Sequence, residues 1–508
     1  MTMCETSEIL DSVREKLISS VLFALDAVDP EVLIKDRLGL ENDGRTLVVH
    51  WNPNDPGSDS RIDLGRFERI HILGAGKAAP FMFDGLSGVL GNSIVKEKIF
   101  GGVIISIEEH VRSRSGEYVG GRNEEHGKRR KKEYVRDRNE EHARDRNERN
   151  TVGRNEEYVG GRKEEHARGK NEEWGGVAFL PGSHPIPDER SVRAGETMVN
   201  YVNDNVRDND LVIFLISGGA SALLELPRPD HDLSDIGEKT KRLIRSGTDI
   251  HYINEERKRF SAIKGGKLGE MIHPARIITL ALSDVPGSHP ASIGSGPTIT
   301  DDTNDLVVIL GDNERFLDRA CERISTCGLG CAIATTDDSG DVLARAKEMV
   351  DLLYEKCDEG MPSNEKKIGN VFLSGGELTV TVTGNGKGGR NQEFILAMLV
   401  EHERRRVHME HMVEKWQVGR HGKKGGEEEK IDTPFFIASI ASDGIDGPTD
   451  AGGAWADHTT WGKAMKIGLD PVRFLDENDS YHFFEKLGQL IITGPTRTNV
   501  MDLRLIAF

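Results

Sequence analysis

Four times along this chain a short apolar run stops at a loop of small or acidic residues and gives way to a helical pattern. Leu211 to Ile216 leads into Ser217-Gly218-Gly219-Ala220-Ser221, and Arg276 to Leu282 leads into Ser283-Asp284. Val371 to Leu373 leads into Ser374-Gly375-Gly376-Glu377, and Phe435 to Ile440 leads into Ala441-Ser442-Asp443-Gly444. Uninterrupted apolar runs suit strands covered on both faces, and strands separated by helices must run parallel. The pattern therefore predicts an α/β fold with a mostly parallel sheet and functional loops along its C-terminal edge. Two units are expected: residues 1–300 as a Rossmann-like domain and residues 301–508 as a smaller α/β domain. The polar cluster Asp301, Asp302, Asn304 and Asp305, just after Gly296-Pro297, reads as the hinge. A core-packing helix is expected over Glu8 to Ala27, where Ile9, Leu10, Val13, Leu17, Ile18, Val21 and Leu25 recur at helical spacing.

Two segments break the pattern. From Ser106 an eight-residue unit of the type Arg-Asn-Glu-Glu-His repeats to Gly176. This stretch holds 18 basic and 17 acidic residues and almost no aliphatic side chain. Eight residues do not keep one helix face constant, and there is little to bury, so a solvated surface insertion is expected. The competing reading is a tether for a partner. Deleting Arg112 to Asn171 is then expected to leave folding intact. The charged residues 401–430 read as a second surface excursion. Outside the first insertion the charge is about −19, and the whole chain is −18, which argues against a nucleic-acid or anionic-membrane partner. No run approaches the roughly 18 apolar residues of a membrane span, and Glu5, Glu8 and Asp11 do not suit a signal peptide. Five cysteines without a C-x-x-C pair fit a reduced, cytoplasmic setting.

The candidate chemistry is that of anions. Thr383 to Glu393 carries four glycines with Lys387 and Arg390, and Asn391 opens a helix, so a strand–loop–helix anion site is expected with the helix start aimed at the ligand. The Ser217, Gly218, Gly219 and Ser221 loop suits a phosphate in the same way, or is a plain tight turn. Gly74-Ala75-Gly76-Lys77-Ala78-Ala79 resembles a dinucleotide fingerprint but lacks a well-placed acidic residue, and Lys77 is better read as a cation facing a carboxylate or phosphate. Arg257, Lys258, Arg259, Lys264 and Lys267 crowd one helical span. Either this is a solvated face, or Arg257 and Lys264 attract an anionic substrate. Asp443, Asp446 and Asp450 lie in one glycine-rich loop, and with Asp284 they are candidates for Mg²⁺, although Asp and Gly are also ordinary turn formers.

Taken together these segments resemble the class II glycerate kinases, the family with a C-terminal MOFRL domain. The likeness rests on G-A-G-K-A-A at Gly74, H-P-I-P-D-E at His184, S-G-G-A-S-A-L-L at Ser217, N-x-x-R-K-x-x-S-A-I-K-G-G at Asn254 and S-D-V at Ser283. It continues through G-S-G-P-T at Gly294, S-G-G-E at Ser374, G-x-G-x-G-G-R-N-Q-E at Gly384, S-D-G-I-D-G-P-T-D at Ser442 and G-P-T-x-T-N-V-x-D-L-R at Gly494. The resemblance implies two domains with the active site in the cleft between them. It implies transfer of a phosphoryl group from ATP, with Mg²⁺, to D-glycerate, giving 2-phosphoglycerate. By the same match, Lys77 and Arg390 are the expected catalytic residues. The partners are then a small substrate and a nucleotide, and assembly into a homo-oligomer is left open. Two rivals stand beside this reading: an NAD(P)H-dependent hydroxypyruvate reductase and a non-catalytic binding protein.

Overall fold

The computed structural model describes residues 3–51, 56–91, 96–115, 176–234, 237, 242, 250–360, 369–418 and 434–508. Most of the octapeptide array, and residues 419–430 of the second charged segment, lie outside the described residues.

Strands β1 (Leu38–Glu41), β2 (Thr46–Val49) and β3 (Ser60–Asp63) form a small antiparallel sheet. The next six strands build the first large sheet: β4 (Ile70–Ala75), β5 (Ile99–Ile107), β6 (Val177–Gly182), β7 (Leu211–Ile216), β8 (Arg276–Leu282) and β9 (Leu306–Gly311). Their spatial order is β6-β5-β4-β7-β8-β9 and every pairing is parallel. Every residue of β4 and β7 is buried. The order reverses between β4 and β7, and helices leaving neighbouring strands toward opposite faces open a crevice at such a point. The loops holding Lys77 and Ser217 leave the two strands that flank it. Strand β9 pairs with β8, so the first sheet runs eleven residues beyond the boundary expected at residue 300.

The second large sheet is mixed, with order β10-β11-β15-β12-β13-β14, from β10 (Gly330–Asp338), β11 (Asn370–Gly376), β12 (Phe436–Ala441), β13 (Gly453–Asp457), β14 (Leu490–Ile491) and β15 (Asp502–Ala507). Here β15 runs antiparallel between β11 and β12. Its first residue, Asp502, is therefore in register with the last residues of both neighbours, Gly376 and Ala441. That register brings the β11 and β12 loops and the start of β15 to one edge. The helix Arg390–Val418 covers one face beside Val342–Gly360, burying Phe394, Ile395, Met398 and Leu399. It continues straight through residues 401–418, the first part of the expected surface excursion. The opposite face shares its core with the first unit: Ile440, Trp455 and Leu503 belong to the same cluster as Leu17, Phe316 and Leu317. The helix Met3–Ala27 packs there on Asn313–Thr326, which agrees with the helical spacing read over Glu8 to Ala27. Among the described residues no helix is long and apolar enough to cross a membrane.

Candidate active site

The loop after β4 is sutured to its neighbours. The Gly76 amide donates to the Ile105 carbonyl at 3.0 Å, the Lys77 amide to the Gly218 carbonyl at 3.0 Å, and the Ala78 amide to Ser217 Oγ at 2.9 Å. A dinucleotide loop needs such amides free for a pyrophosphate, and here they are spent on the fold. Ser217 is buried and its hydroxyl accepts from Ala78, so it clamps two loops rather than facing a phosphate. Ser221 likewise pairs with Ser295 at 2.8 Å. Gly218 has a stricter reason to be glycine: an added Cβ would lie 2.3 Å from Asp284 Oδ2.

The side chain of Lys77 has no hydrogen bond or ion pair among the described residues, yet its charge acts on Asp284, Asp443 and His184. Asp284 comes from the end of β8 in the first unit, and Asp443 from the loop after β12 in the second. Lys77 thus faces both units. Desolvation pushes the Asp284 carboxyl up to about 6 while Lys77 pulls it back. Desolvation also raises Asp443, against the opposing pull of an amide from Ile445 and of Lys77.

Arg390 forms the other wall. Its Nε and Nη2 grip Asp502 at 2.5 and 2.9 Å, and Nη2 also meets Glu377 at 2.7 Å. Burial opposes the charge of this guanidinium, but Asp502 and Glu377 outweigh burial and raise its pKa. Asp502 is fully buried. Glu377 keeps contact with solvent, and its pKa is raised by desolvation and by the charges of Asp502, Asp284 and Asp443 against that of Arg390. Two cations and four carboxylates, from strand ends and loops of both units, therefore act on one another. Glu377, Asp502 and His184 were not singled out from the sequence. Each lay inside a motif that carried the family resemblance, and the signal that could have found Glu377 was its place directly after the end of β11.

Several expected site residues do other work. Asp446 is buried and saturated: Oδ1 accepts from the Asn391 amide at 3.0 Å and its Nδ2 at 3.3 Å, and Oδ2 accepts from the Gln392 amide at 2.9 Å and its Nε2 at 3.0 Å. It caps the helix that begins at Arg390, so the positive end of that helix is neutralised internally rather than aimed at a ligand. Gly389 permits this, since a Cβ there would lie 2.3 Å from Asp446 Cγ. Asn391 completes the same network through Ser439 Oγ. Asp450 is exposed and accepts from Tyr481 Oη at 2.7 Å, while Lys387 lies over the Tyr481 ring at 3.9 Å. The expectation of one magnesium loop holding Asp443, Asp446 and Asp450 is thus corrected: the three carboxylates diverge. Among the described residues no three acidic, His or Cys side chains are grouped to hold a metal. Lys264 is buried in an ion pair with Glu225, which corrects its reading as a substrate cation, because its charge is already matched. Arg257 stays half-buried beside His184.

Comparison with known proteins places this geometry. Residues 17–310 match the family described as a domain of unknown function (DUF4147), and residues 370–502 match the MOFRL family. The D-glycerate 2-kinase of Thermotoga maritima is 32% identical over 63% of this chain and 77% of its own length. The glycerate 2-kinase of Pyrococcus horikoshii is 33% identical over 64% of this chain and 77% of its own. The crystal structure of glycerate kinase from Thermotoga maritima superposes with a TM-score of 0.65 at 25% identity, covering 98% of this chain and 99% of that one. The chain belongs to the MOFRL family of glycerate kinases.

Proposed function

We propose that this protein transfers the γ-phosphoryl group of ATP to D-glycerate, giving 2-phosphoglycerate and ADP. The observation that carries the reading is Lys77: a side chain without a hydrogen bond or ion pair among the described residues, whose charge acts on a carboxylate of the first unit and on one of the second. Phosphoryl transfer asks a protein mainly to position two substrates and to neutralise charge spread over the phosphoryl oxygens. Lys77 supplies that charge from the first unit and Arg390 from the second. Arg390 is pre-oriented by Asp502 and Glu377, which leaves its Nη1 edge for a ligand oxygen. The amides of Gly218 and Gly219 add donors at the same loop.

The residues suit magnesium as kinases use it. Mg²⁺ takes one or two carboxylates and completes its shell with water and phosphate oxygens, so no all-protein cage is needed. Asp284 and Asp443 would hold it, one from each unit. When bound, it supplies charge neutralisation between the phosphates. The acceptor hydroxyl bonds to the γ-phosphorus, the bond from that phosphorus to the bridging oxygen breaks, and the hydroxyl proton passes to a carboxylate of the cleft.

The reductase reading finds no support in the β4 loop, whose amides are spent on Ile105, Gly218 and Ser217. Retention of the charged cleft also speaks against a purely structural binder. The test is one coupled assay, with ATP, Mg²⁺ and D-glycerate beside hydroxypyruvate with NADH or NADPH. ADP release that depends on D-glycerate is expected; loss of NAD(P)H without it would instead support the reductase.

A further inference from the structure

The basic span from Arg257 to Lys267 resolves into five fates. Lys258 pairs with Glu255 at 2.8 Å and Arg259 with Glu256 at 2.8 Å, each one turn back on the helix Ile250–Phe260. Lys264 is buried against Glu225. Lys267 donates to the carbonyls of Lys258 and Ser261. Only the Arg257 side chain makes no hydrogen bond or ion pair among the described residues, although it is half-buried; burial works against its charge, and Glu225, already paired with Lys264, acts the other way. A half-buried guanidinium whose neighbouring carboxylate is already paired with a lysine is completed by an anionic ligand.

What lies beside Arg257 indicates the ligand. Its charge, with that of Lys77, acts on the imidazole of His184. The His184 ring and the Lys77 stem converge on Gly219: an added Cβ there would lie 3.0 Å from His184 Cδ2 and 3.4 Å from Lys77 Cγ. Burial and the two cations hold the His184 pKa down at about 4, so near neutral pH the ring is uncharged and offers one N–H and one lone pair. The helix carrying Arg257 packs on the turn Ile293–Ser295, whose Ser295 hydroxyl meets Ser221 in the loop after β7. Arg257, His184 and the Gly219 loop thus lie together next to Lys77 on the first unit. A fixed, planar cation with a neutral hydrogen-bonding ring beside it matches a small hydroxy acid, with carboxylate to guanidinium and hydroxyl to imidazole.

We propose that Arg257 binds the carboxylate of the acceptor and His184 one of its hydroxyls, so that this pair selects hydroxy acids over uncharged polyols. The proposal rests on the kinase reading above and names the part of the cleft that recognises the acceptor. The acceptors to compare are D-glycerate and its uncharged amide, glyceramide. Arg257→Gln should raise the KM for D-glycerate by at least about tenfold while the KM for ATP stays within about twofold, and the preference for D-glycerate over glyceramide should fall by a similar factor. Arg257→Lys, which keeps a charge but not the fork, should recover part of that preference. His184→Ala should raise the KM for both acceptors together. A binding titration of D-glycerate without nucleotide separates the two levels of the argument. If the unaltered protein binds D-glycerate through Arg257 but releases no ADP, the kinase reading fails and this one stands. If Arg257→Gln instead raises the KM for ATP, or weakens D-glycerate and glyceramide equally, Arg257 is not the carboxylate site.

Discussion

Lys77 and Arg390 share a task but differ in what else they hold. Arg390 neutralises Asp502, which is fully buried, whereas the Lys77 side chain makes no fixed contact among the described residues. Removing one partner of a buried pair leaves the other uncompensated. Arg390→Ala should therefore lower turnover by at least about tenfold and also cost about 3 kcal/mol of stability. Lys77→Ala should lower turnover as much while moving stability by less than about 1 kcal/mol. Chemical denaturation of the two variants checks this, and equal losses of stability would contradict it. Both residues were legible in the sequence as cations in runs of small residues, but only Lys77 follows a strand; Arg390 opens a helix, and the strand expected over 378–382 does not form. Asp446 was legible only as a carboxylate. A helix-capping Asp and a metal-binding Asp look alike in a glycine-rich loop, and what separates them is the pair of amides, at Asn391 and Gln392, that the fold brings from more than fifty residues away.

The helix Arg390–Val418 connects site and core as a single element. Its start holds Arg390, and its next turns carry the apolar residues buried under the second sheet. Among the described residues the side chain that satisfies its first amides is Asp446, so Asp446→Ala should destabilise the protein by about 2 kcal/mol or more and should lower activity only through Arg390. A thermal midpoint unchanged from the parent would contradict the capping role. Glu393, one turn in, is buried and accepts from Asn478 Nδ2 at 2.9 Å. Desolvation pushes its pKa from 4.5 up to about 7, against the hydrogen bonds from Asn478 and Ser480. A carboxyl raised in the folded state contributes stability that is present below its unfolded value and is lost as pH rises through the folded value. Glu393→Gln should therefore flatten the fall of the thermal midpoint between about pH 4.5 and 7. A slope as steep as the parent's would contradict it. The helical period of this element was readable from Phe394 to Leu399. Its continuation through Glu401 to Val418 was not, because the charges there resemble a solvated loop.

For the whole molecule, the reversal of strand order between β4 and β7 puts the loops bearing Lys77 and Ser217 side by side, and the register of β15 puts Glu377, Asp443 and Asp502 together. Strand runs and their loops were visible in sequence. The order of the strands was not, because it depends on pairings between residues far apart in the chain, and so β9 fell on the wrong side of the expected boundary. The octapeptide array leaves from the end of β5, where Ser106 Oγ and His110 Nδ1 meet the Lys77 carbonyl at 3.3 and 2.9 Å and Glu108 pairs with Arg190 at 3.0 Å. Removing residues 116–171 keeps those contacts and leaves about a dozen residues to return to β6, the length that a parallel crossover requires. That shortened protein should fold and retain its activity; insoluble or inactive product would show that the array does more than fill a surface loop. The central claim, that both units close one phosphoryl-transfer cleft around Lys77 and Arg390, is tested most directly by ADP release from ATP and Mg²⁺ with and without D-glycerate. The account predicts release that requires D-glycerate and drops by at least about tenfold in both Lys77→Ala and Arg390→Ala. Release that ignores D-glycerate, or that survives either substitution at the parent rate, would contradict it.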